Sequence, residues 1–303
     1  MITALLGPNG AGKSTYLRKL MGVETGAVNL DMAMVFQEPL LFDLTVKENV
    51  ALGLRFRKHK NANQKIDIWL KKLGISSLAL RRAITLSSGE AQKAALARAL
   101  VLEPKTLLLD EPFSNLDILS QKAFREELKN IILENNMDAM WVTHNLSEAL
   151  AIADYLMIMM DKKIVQQGRP DEVVQKPAAK EIAAFLGIEN IYFGKTIEEN
   201  GRNLFRNEKV NFEVTVPKKE TAWAIVHPED IILSEKPLTF SSARNCLEGT
   251  IKEIIAQGLT FRLKILAGEL FVVDITKISA EELSVATGKK VFLIFKATAV
   301  QVI

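Results

Sequence analysis

The sequence predicts two domains of different class: an α/β domain whose parallel sheet is wrapped by helices over residues 1–187, and a smaller all-β domain over residues 188–303. Three observations carry this reading. Short apolar runs (ITALL, TLLLD and MWVT) alternate with helical patterns through the first part, as buried parallel strands and their crossovers do. Past Gly187 the apolar period falls to two: Val210, Phe212 and Val214 alternate with polar neighbours, as do Phe261, Leu263 and Ile265. The length of 303 residues suits about two domains.

In chain order, ITALL reads as a buried strand and YLRKLM as part of the helix after it. Ile66, Trp69, Leu70 and Leu73 recur at i, i+3, i+4 and i+7 and mark the buried face of another helix. In LSSGEAQKAALARAL, Ser87 followed by Glu90 is a capping box, and the Ala/Leu-rich run predicts a helix that starts at Ser88-Gly89 with its N–H groups exposed. TLLLDEP is a strand stopped by Pro112, and MWVT is a third strand. The boundary falls near FLGIEN, after the helical pattern that follows Pro177; LFVVDI and VFLIF add strands beyond it.

Composition excludes several classes. With 48% hydrophobic and 25% charged residues the chain is neither disordered nor fibrous. A net charge of +3, spread over both signs, gives no footprint for nucleic acid, and no such partner is expected. The apolar stretch LAIADYLMIMM is too short to span a bilayer and carries Asp154. MITALLGPNG has neither a basic leader nor a cleavage site, so the expectation is a chain that is not exported. Cys246 is the single cysteine, which fits a reducing compartment. The basic cluster of Arg55, Arg57, Lys58, His59, Lys60 and Lys65 reads as a solvated helix face, since no aromatic residues interleave it.

The chemistry concentrates in four places. Residues 7–15, GPNGAGKST, join the first strand to a helix. Gly7, Gly10 and Gly12 permit a tight turn whose N–H groups point at phosphate oxygens; Pro8, Asn9, Ala11 and Thr15 complete the loop. Lys13 brings a point charge to the terminal phosphates, and Ser14 a hydroxyl to Mg²⁺. The alternative is a glycine-rich turn that binds nothing. Asp110 and Glu111 stand at the carboxyl end of the second strand, where Asp110 can hold a metal shell and Glu111 polarise water; a capped strand end is the competing reading. His144 ends the third strand and can reach a phosphate, or is simply a packed or solvated residue. The exposed helix start at Ser87, Ser88 and Gly89 can bind an anion, or is only a well-capped amphipathic helix.

In this order the segments resemble the ATP-binding subunits of ABC importers: GPNGAGKST as Walker A, VFQEP with Gln37 as Q-loop, LSSGEAQKAALARAL as signature, TLLLDEP as Walker B, SNLD with Asp117 as D-loop and VTH with His144 as H-loop. The resemblance covers residues 1 to about 187. It implies a P-loop NTPase fold of the ABC ATPase type, ATP and Mg²⁺ as cofactors, and Gln37 as a sensor of the γ-phosphate and Mg²⁺ that reports to a permease. It further implies a head-to-tail homodimer in which Ser87, Ser88 and Gly89 of one subunit, with Asp117, close over ATP held by Lys13 of the other. It places the chain on the cytoplasmic face of the membrane, bound to integral-membrane permease subunits and, through them, to a substrate-binding protein.

Against that family the chain has a short start, with six residues before Gly7, and only residues 14–36 between Lys13 and Gln37. The first difference implies an N-terminally truncated domain without the aromatic that stacks on adenine; Tyr16 lies past the loop and does not replace it. The second implies a reduced β-hairpin, of which GAVNLDMAMVFQ is the remnant. Both differences fall on the lobe that covers the base, so the expectation is intact phosphate chemistry with weakened ATP affinity. Ser88 stands where most members have glycine.

The second domain resembles the OB-like regulatory TOBE domain of the molybdate/tungstate type, through AIVHPEDIILS, SSARNCLEGTI and TKISAEELSVATGKKVFLIFKATAV. Ser242 and Asn245 are neutral donors, and Arg244 and Lys296 cations, a set suited to a tetrahedral dianion. The alternative is that SSARN is a turn whose polar groups satisfy their own backbone. The expected function is the ATPase of a molybdate or tungstate importer, with sulfate or another small anion as alternative cargo. The rival is a weakly active chain whose second domain binds or senses oxyanions.

Overall fold

The computed structural model describes residues 1–57, 61–114, 116, 118–238 and 241–303, which form two compact units, Met1–Val173 and Val174–Ile303. The division lies before residue 187, because the short helix at 180–185 belongs to the second unit, where Ala183 packs with Ile188 and Ile225.

The first unit runs β1 (Ile2–Leu6), α1 (Lys13–Met21), β2 (Met32–Val35), α2 (Val46–Phe56), α3 (Ala62–Lys72), α4 (Ser88–Leu100), β3 (Thr106–Asp110), α5 (Ile118–Glu134), β4 (Asp138–Thr143), α6 (Leu146–Ile152), β5 (Tyr155–Met160) and β6 (Lys163–Gly168). Its six strands form one sheet in the order β2-β3-β4-β1-β5-β6, parallel except for the antiparallel pair β5–β6. Every residue of β1 is buried, as a strand covered on both faces must be. Ile66, Trp69, Leu70 and Leu73 are buried as their spacing predicts. Of the basic cluster, Lys65 pairs with Glu103 at 2.6 Å and Arg57 caps the Leu30 carbonyl, while residues 58–60 lie outside the described residues.

One expectation is corrected here. Residues 32–35, read as part of a hairpin remnant, form instead β2, a parallel edge strand in register with β3 from Met32↔Thr106 to Val35↔Leu109. The apolar stretch LAIADYLMIMM divides between α6 and β5, and Asp154 between them accepts the Ile2 N–H at 2.7 Å, fixing the start of β1. No described helix is long and apolar enough to cross a membrane.

The division between units falls within α7 (Pro170–Gln175). The second unit continues with α8 (Lys180–Phe185), β7 (Ile191–Glu199), β8 (Arg202–Arg206), β9 (Asn211–Glu213), β10 (Lys219–Val226), β11 (Ile232–Ser234), β12 (Asn245–Gln257), β13 (Thr260–Ala267), β14 (Glu269–Thr276), α9 (Lys277–Glu282), β15 (Lys290–Phe295) and β16 (Val300–Val302). Its strands make two antiparallel five-stranded sheets, β16-β10-β7-β8-β9 and β11-β15-β12-β13-β14. Their inner faces share one core: Phe212 meets Phe295 at 5.6 Å between ring centroids, and Tyr192 meets Phe271 at 4.8 Å.

Two buried asparagines tie the sheets together. Asn190, just before β7, donates to the Val272 carbonyl of β14 at 2.8 Å and accepts the Val272 N–H at 2.6 Å. In the opposite sense, Asn245 of β12 donates to the Glu213 carbonyl of β9 at 3.0 Å and accepts the Glu213 N–H at 2.6 Å. Each amide satisfies backbone groups that would otherwise lie buried and unpaired. Asn190→Ala and Asn245→Ala should each lower the unfolding free energy by about 1–3 kcal/mol, measured by urea denaturation of the whole chain.

Candidate functional site

The loop after β1 is shaped by close backbone contact. A Cβ on Gly7 would lie 2.3 Å from the Met159 carbonyl oxygen of β5, so glycine is required there. Gly10 and Gly12 adopt φ of 81° and 95°, which turns the chain into α1. The Ala11 N–H donates to Pro8 O and the Tyr16 N–H to Gly12 O, so the helix opens at Lys13 with its first N–H groups available to an anion. Tyr16 itself packs beside the core cluster of Leu5, Leu17 and Met157.

Lys13 is only 6% exposed. Its ammonium donates to Gly7 O at 2.8 Å and Pro8 O at 3.0 Å and stands 4.0 Å from Glu111 Oε1. Burial lowers its pKa, against the opposing pull of Glu111 and Asp110. Ser14 Oγ donates to Asp110 Oδ1 at 3.0 Å. Burial pushes the Asp110 carboxyl above its ordinary range; the Ser14 hydrogen bond opposes this and the neighbouring Glu111 charge adds to it. Glu111 follows at φ 42°, its N–H donating to Val142 O, and its Oε1 lies 3.1 Å from His144 Nδ1.

Apart from Asp110, which joins through its bond with Ser14, these side chains share a cleft of about 640 Å³ lined by residues 9–15, Arg18, Gln37, Glu111, Ser114, His144 and Lys162. Carried by β1, β3, β4 and the segment after β2, they meet at the carboxyl edge of the sheet, where open α/β sheets bind ligands. The sequence-predicted Lys13, Ser14, Gln37, Asp110, Glu111 and His144 are thus brought together. Arg18, Ser114 and Lys162 were not foreseen. Arg18 stands one helical turn after Ser14, a spacing that could have revealed it; Lys162 comes from a turn with no sequence signal of its own.

Ser14 and Asp110 offer adjoining oxygen ligands, and Asp110 is a buried carboxylate whose charge is poorly solvated. That is a donor set for a hard divalent cation such as Mg²⁺. Among the described residues no group of three or more His, Cys, Asp or Glu is placed to hold a metal, so such an ion would complete its shell from phosphate and water.

Ser87, Ser88 and Gly89 lie on a different cavity of about 420 Å³, with Lys93, Phe124 and Glu127. The predicted capping box is present, with Ser87 and Glu90 exchanging hydrogen bonds at the start of α4. Asp117 lies outside the described residues.

In the second unit, the pairing Asn245↔Phe295 sets Arg244 and Lys296 at matching ends of β12 and β15, both exposed, with Ser242 exposed nearby and Cys246 exposed on the strand. Asn245 does not join them as an anion donor: it is buried and its amide is committed to Glu213. The Ser241 hydroxyl accepts the Ala243 N–H at 3.1 Å, so part of the SSARN turn does satisfy its own backbone.

A glycine loop feeding a helix, with an acid pair at the end of the parallel strand β3, one strand removed across β4, defines the class: a P-loop nucleotide-binding ATPase domain. Residues 1–114 match the family described as ABC transporter, and residues 241–302 the TOBE domain. Over 98% of its length the chain is 35% identical to the molybdate/tungstate import ATP-binding protein WtpC of Pyrococcus abyssi, covering 91% of that protein. Over 96% it is 36% identical to the sulfate/thiosulfate import ATP-binding protein CysA of Nitrosomonas europaea, covering 87% of it. Proteins named for import of Fe(3+) ions and of spermidine/putrescine match at comparable identity. Among solved structures, cbiO1 from Clostridium perfringens, part of the ABC transporter complex cbiONQ, aligns with a TM-score of 0.53 and 28% identity over 60% of this chain and 81% of that one. The chain belongs to the ATP-binding subunits of ABC importers: it is an ABC ATPase domain followed by a TOBE domain.

The Asp110 environment yields a test. Because folding raises this pKa, the ionised carboxylate costs stability at neutral pH, and the cost vanishes as the group takes up a proton. Asp110→Asn, which keeps the Ser14 hydrogen bond, should therefore raise the thermal midpoint of the nucleotide-free chain at neutral pH. The gain should shrink as pH falls toward about 4.

Proposed function

We propose that the chain energises uptake of molybdate or tungstate, hydrolysing ATP with Mg²⁺ as a head-to-tail homodimer on the cytoplasmic face of its permease, which a substrate-binding protein supplies. The observation that carries the cargo is likeness to a molybdate/tungstate import protein over almost the whole chain, second unit included. The exposed pair Arg244 and Lys296 supports it, since two cations at one strand end suit a dianion.

In this reading the loop N–H groups and Lys13 bind the β- and γ-phosphates, and Lys13 exchanges its bonds to Gly7 and Pro8 for phosphate oxygens. Ser14 and Asp110 hold Mg²⁺, which when bound neutralises charge on those phosphates. Glu111 orients the attacking water and takes its proton, and His144, already 3.1 Å away, fixes that carboxylate and reaches the γ-phosphate. Gln37, on the same cleft, reads the phosphate and metal and passes the state toward the permease. Ser87, Ser88 and Gly89, set on a separate cavity, are suited to act on ATP held by a second subunit.

A second cargo, sulfate or another small anion, is favoured by the sulfate/thiosulfate relative, whose identity is as high. Calorimetry with the full chain separates the two: molybdate or tungstate should bind, sulfate much more weakly, and Arg244→Ala should abolish binding. Stronger sulfate binding would reverse the assignment. Loss of tungstate uptake on deletion of the gene in its host tests transport itself.

For hydrolysis, Glu111→Gln should lower turnover by at least about 100-fold while ATP still binds and holds the dimer together, as size-exclusion chromatography with ATP would show. Lys13→Ala should instead weaken ATP binding by about 10- to 100-fold, because it deletes a charged partner of the phosphates. Full turnover in the Glu111 variant would remove Glu111 from the mechanism, whereas failure of the natural chain to hydrolyse ATP steadily would support the rival, a weakly active chain that senses oxyanions.

A further inference from the structure

We propose that Lys162 is a further nucleotide-binding residue, whose ammonium joins Lys13 on the phosphates from outside the loop. The inference rests on reading the 640 Å³ cleft as the ATP site.

β5 and β6 are joined by two residues alone. Met160 pairs with Lys163, and the linking Asp161 and Lys162 have φ of 47° and 64°. Turns of this kind demand positive φ at both positions and favour glycine or asparagine; a lysine there is held at a conformational cost. What the lysine gains is position. Its N–H donates to Ala11 O at 3.0 Å, which ties the turn to the phosphate loop. Its stem lies over Gly12: a Cβ on Gly12 would fall 3.1 Å from the Lys162 Cγ and 3.5 Å from its Cα. The absence of a side chain at Gly12 therefore serves two neighbours, the phosphates on one side and this lysine on the other. Lys162 also lines the cleft with Lys13, Ser14 and Gln37.

The two cations differ in kind. Lys13 is buried against carbonyls and carboxylates, so its charge is fixed in place. Lys162 is exposed on a flexible stem, so its attraction to a polyphosphate is modest and sensitive to salt.

ATP titration of the full chain by calorimetry tests this, at low ionic strength and again near about 1 M salt, where charges are screened within about 3 Å. Lys162→Gln removes the charge and keeps the stem; it should weaken ATP binding about 2- to 5-fold at low salt, with the difference fading at high salt. Lys162→Arg should bind as the natural chain does. Lys162→Gly relaxes the turn, so it should bind ATP as weakly as the Gln variant while its thermal midpoint rises. Natural affinity in Lys162→Gln at low salt, or an Arg variant as weak as the Gln variant, overturns the inference. If Lys13→Ala loses ATP and Lys162→Gln does not, Lys162 alone is misassigned; if the natural chain binds no ATP, the reading of the cleft falls with it.

Discussion

The first unit is organised around a buried ammonium turned back on its own loop. Lys13 has almost no contact with water, and an ionised group so placed is tolerated only when every proton finds an acceptor. The Gly7 and Pro8 carbonyls supply two, with Glu111 a longer-range third partner. That need fixes the loop's curvature, which requires positive φ at Gly10 and Gly12, and presses Gly7 against Met159. The same need draws β3 to present its acids at this edge of the sheet. Glycine placement in the loop and acid placement on β3 both serve one buried charge that must be satisfied within the protein.

Much of this was legible because it is local. A phosphate loop is a backbone conformation, and glycine spacing encodes it directly. Strands covered on both faces read as unbroken apolar runs, so β1, β3 and β4 were visible. The strand β2, four residues with alternating burial at a sheet edge, lacks that signature and reads in the sequence as part of a hairpin. YLMIMM was hidden because its apolar run continues a helix, and only the tertiary bond from Ile2 to Asp154 marks where one ends and the other starts.

What the sequence concealed is set by contacts distant along the chain. Asn245 looks like an anion donor when SSARN is read alone, but its acceptor and donor are both on Glu213. Lys162 looks like any turn lysine until the turn is seen lying on Gly12. In the second unit, period-two alternation gives the strands yet says nothing of which sheet each joins; that is fixed by pairings such as Arg262 with Asp274, a two-pronged ion pair across β13 and β14.

Cys246 gives the second unit a practical asymmetry. It is the only thiol in the chain, it is exposed, and it sits two residues from Arg244 on the strand paired with the one leading to Lys296. A thiol-selective fluorophore will therefore label every molecule once and at a known place, with no cysteine to remove first. The dye would stand where an oxyanion is expected to arrive, turning the native chain into its own optical sensor.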